Sequence, residues 1–455
     1  MDHSPFKGIR VLALSQYIAS SYAASLMADL GAEVIKIEST VRPDPGRVFV
    51  TNPGSLSVFP DNIPGVDWWN RGSFYNVLNR GQLSLTLDLG KEQGRTIFKE
   101  LTKVSDVVIE SYTPKVMKRW ELDYSSLSKV RPDIIVVSIT GFGHGSGPYS
   151  DYPGTGTTIE ATHGHCHVTG YVEGPPSKAS RSFVDFVATW SAFFGIAGAL
   201  RHRLRTGKGQ WIDLGLYQAG ALLLSEFILD YEVNRRIHGH IGNRHDSRCP
   251  QGCYRAKGVD DWIVLSVGSD DQWAGLCEAI GEPKLKNTPE YQTPLGRSTH
   301  QDELDRIIEE WTKSKDKYEI FHTLQRNKVP AAPVINSKEL HTDPHLRARG
   351  FVERIEFPPG REIGTRPLIA HPWKFSSIAP IVQKPSPKLG EHNDYVLKKL
   401  LGLNRREVEQ LEIEGVIGTR VVNYPSPKVA PLADMVNSGI LAAYDPHYKE
   451  VLTVE

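Results

Sequence analysis

Apolar and polar positions alternate in blocks along the first 216 residues. Short runs rich in Val, Ile and Leu recur at Ile9–Leu14, Glu33–Glu38, Leu83–Leu89, Asp106–Glu110, Ile134–Thr140 and Gln210–Leu216, and each predicts a strand. Between them, Tyr22–Leu30 predicts a helix stopped by Gly31, and Glu92–Lys103 predicts an amphipathic helix. This strand–helix rhythm predicts an α/β fold with a doubly wound, mostly parallel sheet, a Rossmann-like large domain. No G-x-G-x-x-G follows the first strand, so a dinucleotide site has no support. Gly141, Gly143, Gly145 and Gly147 follow a strand, but their spacing fits neither a P-loop nor a dinucleotide loop.

From about Cys253 the pattern changes. Two strand-like runs, Cys253–Lys257 and Trp262–Val267, flank the turn signal Gly258-Val259-Asp260-Asp261. Helices are predicted near Asp271–Ile280, Gln301–Lys313 and Tyr318–Asn327, which gives a smaller α+β domain. Phe351–Phe357 and Ile363–Ile369 predict a hairpin around Pro358-Pro359-Gly360-Arg361. The expected organisation is a large domain at 1–224, a linker and small domain at 225–345, a hairpin and return at 346–415, and an extension at 416–455. Pro425, Pro427 and Pro431 suit either an ordered wrap or a loose arm in that extension.

The stretch Phe183–Leu200 is apolar on nearly every face and contains Asp185 near its start. A helix apolar all round is usually buried, so Asp185 is expected to be partly shielded from water. The free N–H groups and dipole of a first turn compensate such a charge. Two roles remain open on this stretch alone, an N-cap and a working carboxylate.

A length of 455 residues allows two or three domains. The charge balance, 53 basic against 53 acidic residues, argues against a nucleic-acid binder. Four cysteines do not make a disulfide framework and suggest a reducing compartment. No leader-like N-terminus and no run of the ~18 apolar residues a membrane span needs is evident, so a cytoplasmic protein without a membrane partner is expected.

After the Asp185 stretch the chain reads Arg203-Leu204-Arg205-Thr206-Gly207-Lys208-Gly209-Gln210. This "D–helix–R-x-x-T-G-x-G-Q–strand" resembles the class III CoA-transferases, the family of formyl-CoA transferase and carnitine CoA-transferase. The resemblance extends to Gly8-Ile9-Arg10-Val11-Leu12, Asp29–Glu38, Asn79-Arg80-Gly81, Leu87-Asp88-Leu89, Thr140-Gly141-Phe142-Gly143, and Gly170 with Gly174-Pro175-Pro176. Gly242-Asn243-Arg244-His245, Val329–Val334, Asp343-Pro344 and Leu389-Gly390-Glu391-His392 continue it. It covers residues 5 to 415, and its motifs, weak singly, fall in the family's order.

The resemblance implies that Asp185 is the nucleophile. A carboxylate attacks the acyl carbonyl of a thioester, forms a mixed anhydride and releases CoA thiolate, without metal or redox cofactor. CoA thioesters and carboxylic acids are then the substrates, and no tightly bound cofactor is expected. CoA-binding positions carry over as Ile18, Ala19, Leu87, Leu89, Ser111, Tyr112 and Arg119. Arg119 suits a phosphate, or is a solvated helix charge. The family also implies an interlocked homodimer.

Three departures stand out. Ser39 and Gly90 replace an Arg and a Lys of formyl-CoA transferase, although Lys91 is adjacent. Thr155-Gly156 replaces Tyr-Glu, and in the related acyl-CoA racemases a His-Asp pair, so no acid or base stands at that position. This weighs against a racemase or isomerase, the nearest rival. A non-catalytic partner subunit of a hetero-oligomeric CoA-transferase is the rival from another class. His163-Gly164-His165-Cys166-His167, and His245 with Cys249 and Cys253, lack clean zinc spacing. The first of these clusters falls just before the family's Gly170 turn, which makes it a candidate to line the acyl pocket.

Overall fold

The structure is a computed structural model describing residues 4–48, 59–145, 147–179, 182–378 and 384–453. The chain forms two compact units. One comprises residues 1–165, 180–229 and 345–455, the other 166–179 and 230–344.

The first unit is built on six strands: β1 (Arg10–Leu14), β2 (Glu33–Glu38), β3 (Leu83–Thr86), β4 (Val107–Glu110), β5 (Ile135–Thr140) and β6 (Gln210–Gly215). They are ordered β3-β2-β1-β4-β5-β6, and every pairing is parallel. The alternation of each strand sends its side chains to opposite layers. Val11 and Ala13 join one core with helix Ala19–Asp29 and the Asp185 helix, Phe183–Thr206. Leu12 and Leu14 join the other with Phe98 and Leu101 of helix Glu92–Lys103. Both faces of the sheet are therefore covered, as a parallel sheet requires.

β3 stops at Thr86, three residues short of the run that predicts it. The next backbone donors find other partners. Leu87 N–H donates to the Glu38 carbonyl and Asp88 N–H to the Val416 carbonyl, each at 2.8 Å. The returning chain also closes the outer edge of β3. Ser84 N–H donates to His392 Nδ1 at 3.1 Å, and Thr86 N–H to Asn393 Oδ1 at 2.9 Å. An otherwise open sheet edge is thereby satisfied.

The extension is an ordered wrap. Val422 N–H donates to the Thr40 carbonyl at 2.9 Å, and Asn62 Nδ2 to the Ala430 carbonyl at 2.9 Å. Val421, Tyr424 and Val429 pack on Phe59, Trp68 and Trp69. The hairpin β10 (Val352–Glu356) and β11 (Thr365–Ile369) is antiparallel and belongs to this unit.

The second unit carries an antiparallel sheet of β7 (Gln251–Arg255), β8 (Trp262–Ser266) and β9 (Ala331–Pro333). Helices Asp270–Ala279, Gln301–Thr312 and Lys317–Arg326 supply Trp273, Leu304 and Ile320 to its core.

Two expectations about the Asp185 helix need correction. By length and composition it is apolar enough to cross a membrane, contrary to the expectation that no run is. It is also not buried all round. Val184, Ala188, Ala192, Ile196 and Ala199 form one buried stripe of mostly small side chains that lets it lie close on helix Ala19–Asp29. Phe194, on another face, is 81% exposed in the single chain.

Candidate active site

Ser182 is the N-cap of the long helix and Asp185 its third residue, so the N-cap reading of Asp185 fails. The carboxylate instead lies in the first turn, near free N–H groups and the positive end of the dipole. It sits against Gly156, the first residue of helix Gly156–Thr162. A Cβ at residue 156 would come within 1.9 Å of Asp185 Oδ2. The missing side chain at 156 is therefore what makes room for the carboxylate.

Burial pushes the Asp185 carboxyl up to about 6; its own backbone N–H lowers it and the Glu160 charge raises it. Glu160 lies one helical turn after Gly156, on the same face, and is fully buried. Sequence reasoning missed it, although the four-residue spacing from Gly156 was a usable signal. His163 caps the far end of the same helix. Its ring lies on Gly220, where a Cβ would be 2.3 Å from Cδ2. Burial lowers its pKa, the neighbouring His165 adding to this while its own backbone and Glu160 oppose it. His163 packs edge-on against His165 at 5.8 Å, and His165 against Phe183 at 5.2 Å. The histidine run thus reaches the start of the Asp185 helix. Among the described residues no group of three or more His, Cys, Asp or Glu side chains is gathered to hold a metal ion.

The sheet order reverses between β1 and β4, and doubly wound sheets bind ligands outside the carboxyl ends of strands at such a point. Four of the positions expected to meet CoA lie there. Ile18 and Ala19 follow β1, and Ser111 and Tyr112 follow β4. The two loops are tied together. Gln16 N–H and the Ser20 hydroxyl donate to Ser111 Oγ at 3.2 and 3.1 Å, and Gln16 Nε2 donates to the Tyr112 hydroxyl at 3.2 Å. The Thr189 hydroxyl, one turn beyond Asp185, donates to the Ala19 carbonyl at 3.1 Å. The Asp185 helix is therefore pinned to the same loop.

Leu87 and Leu89 are buried core side chains, and the Leu87 N–H is taken by the Glu38 carbonyl. Arg119 is exposed in the last turn of helix Pro114–Trp120 and makes no ion pair among the described residues. Lys91, beside the absent Lys at Gly90, donates from its Nζ to the Glu414 carbonyl.

The family described as CoA-transferase family III matches residues 6–393 of the chain. A succinate–glutarate CoA-transferase of Agrobacterium fabrum is 31% identical, covering 88% of this chain and 97% of that one. A protein named succinyl-CoA–L-malate CoA-transferase beta subunit, of Chloroflexus aurantiacus, is 30% identical over 91% and 98% respectively. A solved structure, a CAIB/BAIF family protein from Brucella suis, superposes with a TM-score of 0.76 at 29% identity, covering 87% of this chain and 99% of the other.

Proposed function

The chain belongs to CoA-transferase family III, and we propose that it transfers CoA covalently through Asp185. The observation that carries this reading is the placement of that carboxylate. It is desolvated over Gly156 in a helix's first turn, with its pKa pushed up to about 6. Such a group is ionised at neutral pH yet more basic than an exposed aspartate, which suits a nucleophile.

Asp185 Oδ attacks the acyl carbonyl of the donor, forming the anhydride as the C–S bond breaks and CoA leaves as thiolate. The thiolate then attacks the aspartyl carbonyl, releasing the donor acid and leaving an aspartyl–CoA thioester. The acceptor carboxylate attacks that thioester carbonyl, giving a second anhydride and thiolate. Thiolate attack on the acceptor's acyl carbon yields the new acyl-CoA and restores Asp185. The first-turn N–H groups steady the carboxylate between steps, and exclusion of water protects each anhydride from hydrolysis. Ile18, Ala19, Ser111 and Tyr112 are read as the floor for CoA, and Arg119 as a phosphate contact. The relatives named above act on dicarboxylic acids, which makes these the first acceptors to try with succinyl-CoA as donor.

We assign a homodimer as the working assembly. Phe186, Phe194, Leu222, Leu223, Ile228 and Leu229 are all exposed in the single chain, and large apolar exposure of this kind marks an interface. The relative named as a beta subunit favours a second reading, a heteromer with a paralogue. Cys249, Cys253 and Cys277 are free thiols, which fits the reducing cytoplasm in which we place the enzyme.

The test is to incubate the enzyme with acyl-CoA, trap with hydroxylamine or borohydride, and map the modified residue. The label is expected on Asp185 and absent from Asp185→Asn. A label on another carboxylate refutes the assignment. Deuterium entering the acyl α-carbon from solvent identifies a racemase instead.

A further inference from the structure

The carboxyl edge of the sheet holds a second buried acid, Glu110, that the transfer chemistry does not use. It is the last residue of β4 and is 1% exposed. Its Oε2 accepts the Tyr112 backbone N–H at 2.8 Å. Its Oε1 makes no hydrogen bond to the described residues and points at His144 Nε2, which makes none either, at 3.6 Å. His144 lies in the glycine-rich loop after β5. Its backbone N–H donates to both oxygens of Asp213 at 2.9 and 3.0 Å. Its ring meets Trp211 edge-on at 5.5 Å, and Trp211 Nε1 donates to Ser138 Oγ at 3.0 Å. Both partners are thus fixed by their neighbours while one atom of each faces the other. Two buried polar atoms in this position are costly unless a proton lies between them.

We propose that Glu110 and His144 are a positioning pair that shares one proton, clipping the glycine-rich loop to the end of β4 and thereby setting the Ser111–Tyr112 turn for CoA binding. This rests on the reading of that turn as part of the CoA floor. The proton resides on Glu110 Oε1 and is donated to His144 Nε2, or moves to the imidazole and is donated back; no other group changes. The titratable groups facing the pair are Asp213 from β6 and Tyr112 from the turn, and the neutral neighbours are Ser138 and Trp211. Burial pushes the Glu110 carboxyl up to about 7, with Asp213 raising it and Ser138 and the Tyr112 N–H lowering it. Burial moves His144 below its ordinary value against the opposing pull of Asp213. The pair therefore holds its proton below neutral pH and loses it as the pH rises through about 7.

The experiment combines NMR of 15N-histidine-labelled full-length protein with steady-state kinetics on Glu110→Gln, Glu110→Ala, His144→Gln, His144→Ala and the double alanine variant. In wild type the His144 ring nitrogens are expected to respond to a titration near pH 7, and Glu110→Gln is expected to remove it. Each alanine variant should raise KM for the acyl-CoA roughly three- to tenfold with kcat little changed, the magnitude of one lost hydrogen bond. The double variant should be no worse than either single one, because a shared contact is lost once. Glu110→Gln and His144→Gln, which keep a hydrogen-bonding group, should recover most of the affinity. Two outcomes overturn the proposal: a His144 signal indifferent to Glu110→Gln, or alanine variants that lower thermal stability and kcat while leaving KM unchanged. The covalent label on wild-type Asp185 is measured in parallel. Its absence refutes the Asp185 nucleophile and leaves the NMR result standing.

Discussion

Replacing Asp185 by Asn should make the protein more stable at neutral pH while destroying transfer. The reason is the site itself. In the folded protein burial holds the carboxyl at about 6 instead of its ordinary 3.8. The folded state therefore binds a proton more readily than the unfolded chain, and stability is lost as pH rises from about 4 to about 6. At about 1.4 kcal/mol per pH unit, that difference amounts to about 3 kcal/mol, present in full above pH 6. An amide of the same shape has no charge to desolvate, so Asp185→Asn recovers up to that amount. With an unfolding entropy of about 2.1 cal/mol/K per residue, a chain of 455 residues loses or gains about 1 kcal/mol per degree, so the midpoint should rise by about 3 °C. Thermal unfolding of both proteins between pH 4 and pH 8, followed by tryptophan fluorescence, measures it. The gap should be near zero at pH 4 and reach its plateau above pH 6. A variant no more stable than wild type at pH 8, or a gap of the same size at every pH, would mean that the carboxylate is not held in a desolvated place, and the reasoning fails.

Four further outcomes follow from the same geometry. Gly156→Ala puts a Cβ within 1.9 Å of Asp185 Oδ2, so kcat should fall by at least tenfold while circular dichroism stays native; full activity would show that the carboxylate does not work from this position. Arg119→Ala should weaken CoA binding roughly ten- to a hundredfold by calorimetry, and less for a dephospho-CoA thioester, the scale of one charged hydrogen bond. Deleting residues 420–455 should expose Phe59 and Trp69 and lower the unfolding midpoint, which scanning calorimetry reads directly. Light scattering at micromolar concentration should return the mass of a dimer, and a monomer would contradict the assembly.

What was legible in the sequence, and what was not, follows from the range of the interactions. β2 and helix Glu92–Lys103 end where their patterns end, because periodicity, a turn and a glycine stop act over a few residues. β3 ends early because the distant Val416 carbonyl accepts the Asp88 N–H, which no local pattern encodes. Asp185 stood out through its charge at the head of an apolar run, and the loops after β1 and β4 through family motifs. The site around it did not. Gly156, Glu160 and His163 form one face of a short helix, yet only the fold brings that face beneath a side chain 29 residues beyond Gly156. Glu110, at the end of β4, and His144, in the loop after β5, were equally invisible as a pair.

The apolar character of the Asp185 helix exceeds what one chain uses. Its buried stripe accounts for Val184, Ala188, Ala192, Ile196 and Ala199, but not for Phe186, 41% exposed, or Phe194, 81% exposed. A sequence records burial in the working assembly, not in an isolated chain. Single apolar residues on a surface need no explanation, but two phenylalanines on one helix are exposed together with Leu222, Leu223, Ile228 and Leu229 in the segment that follows it. At about 25 cal/mol for each Å² removed from water, covering such side chains favours association strongly. A charged substitution such as Phe194→Asp should therefore leave the first unit's core untouched and act on assembly alone. Dissociation of the variant with a native circular dichroism spectrum is the expected result. An assembly indifferent to the change would place the interface elsewhere and leave the exposure of Phe194 without a partner.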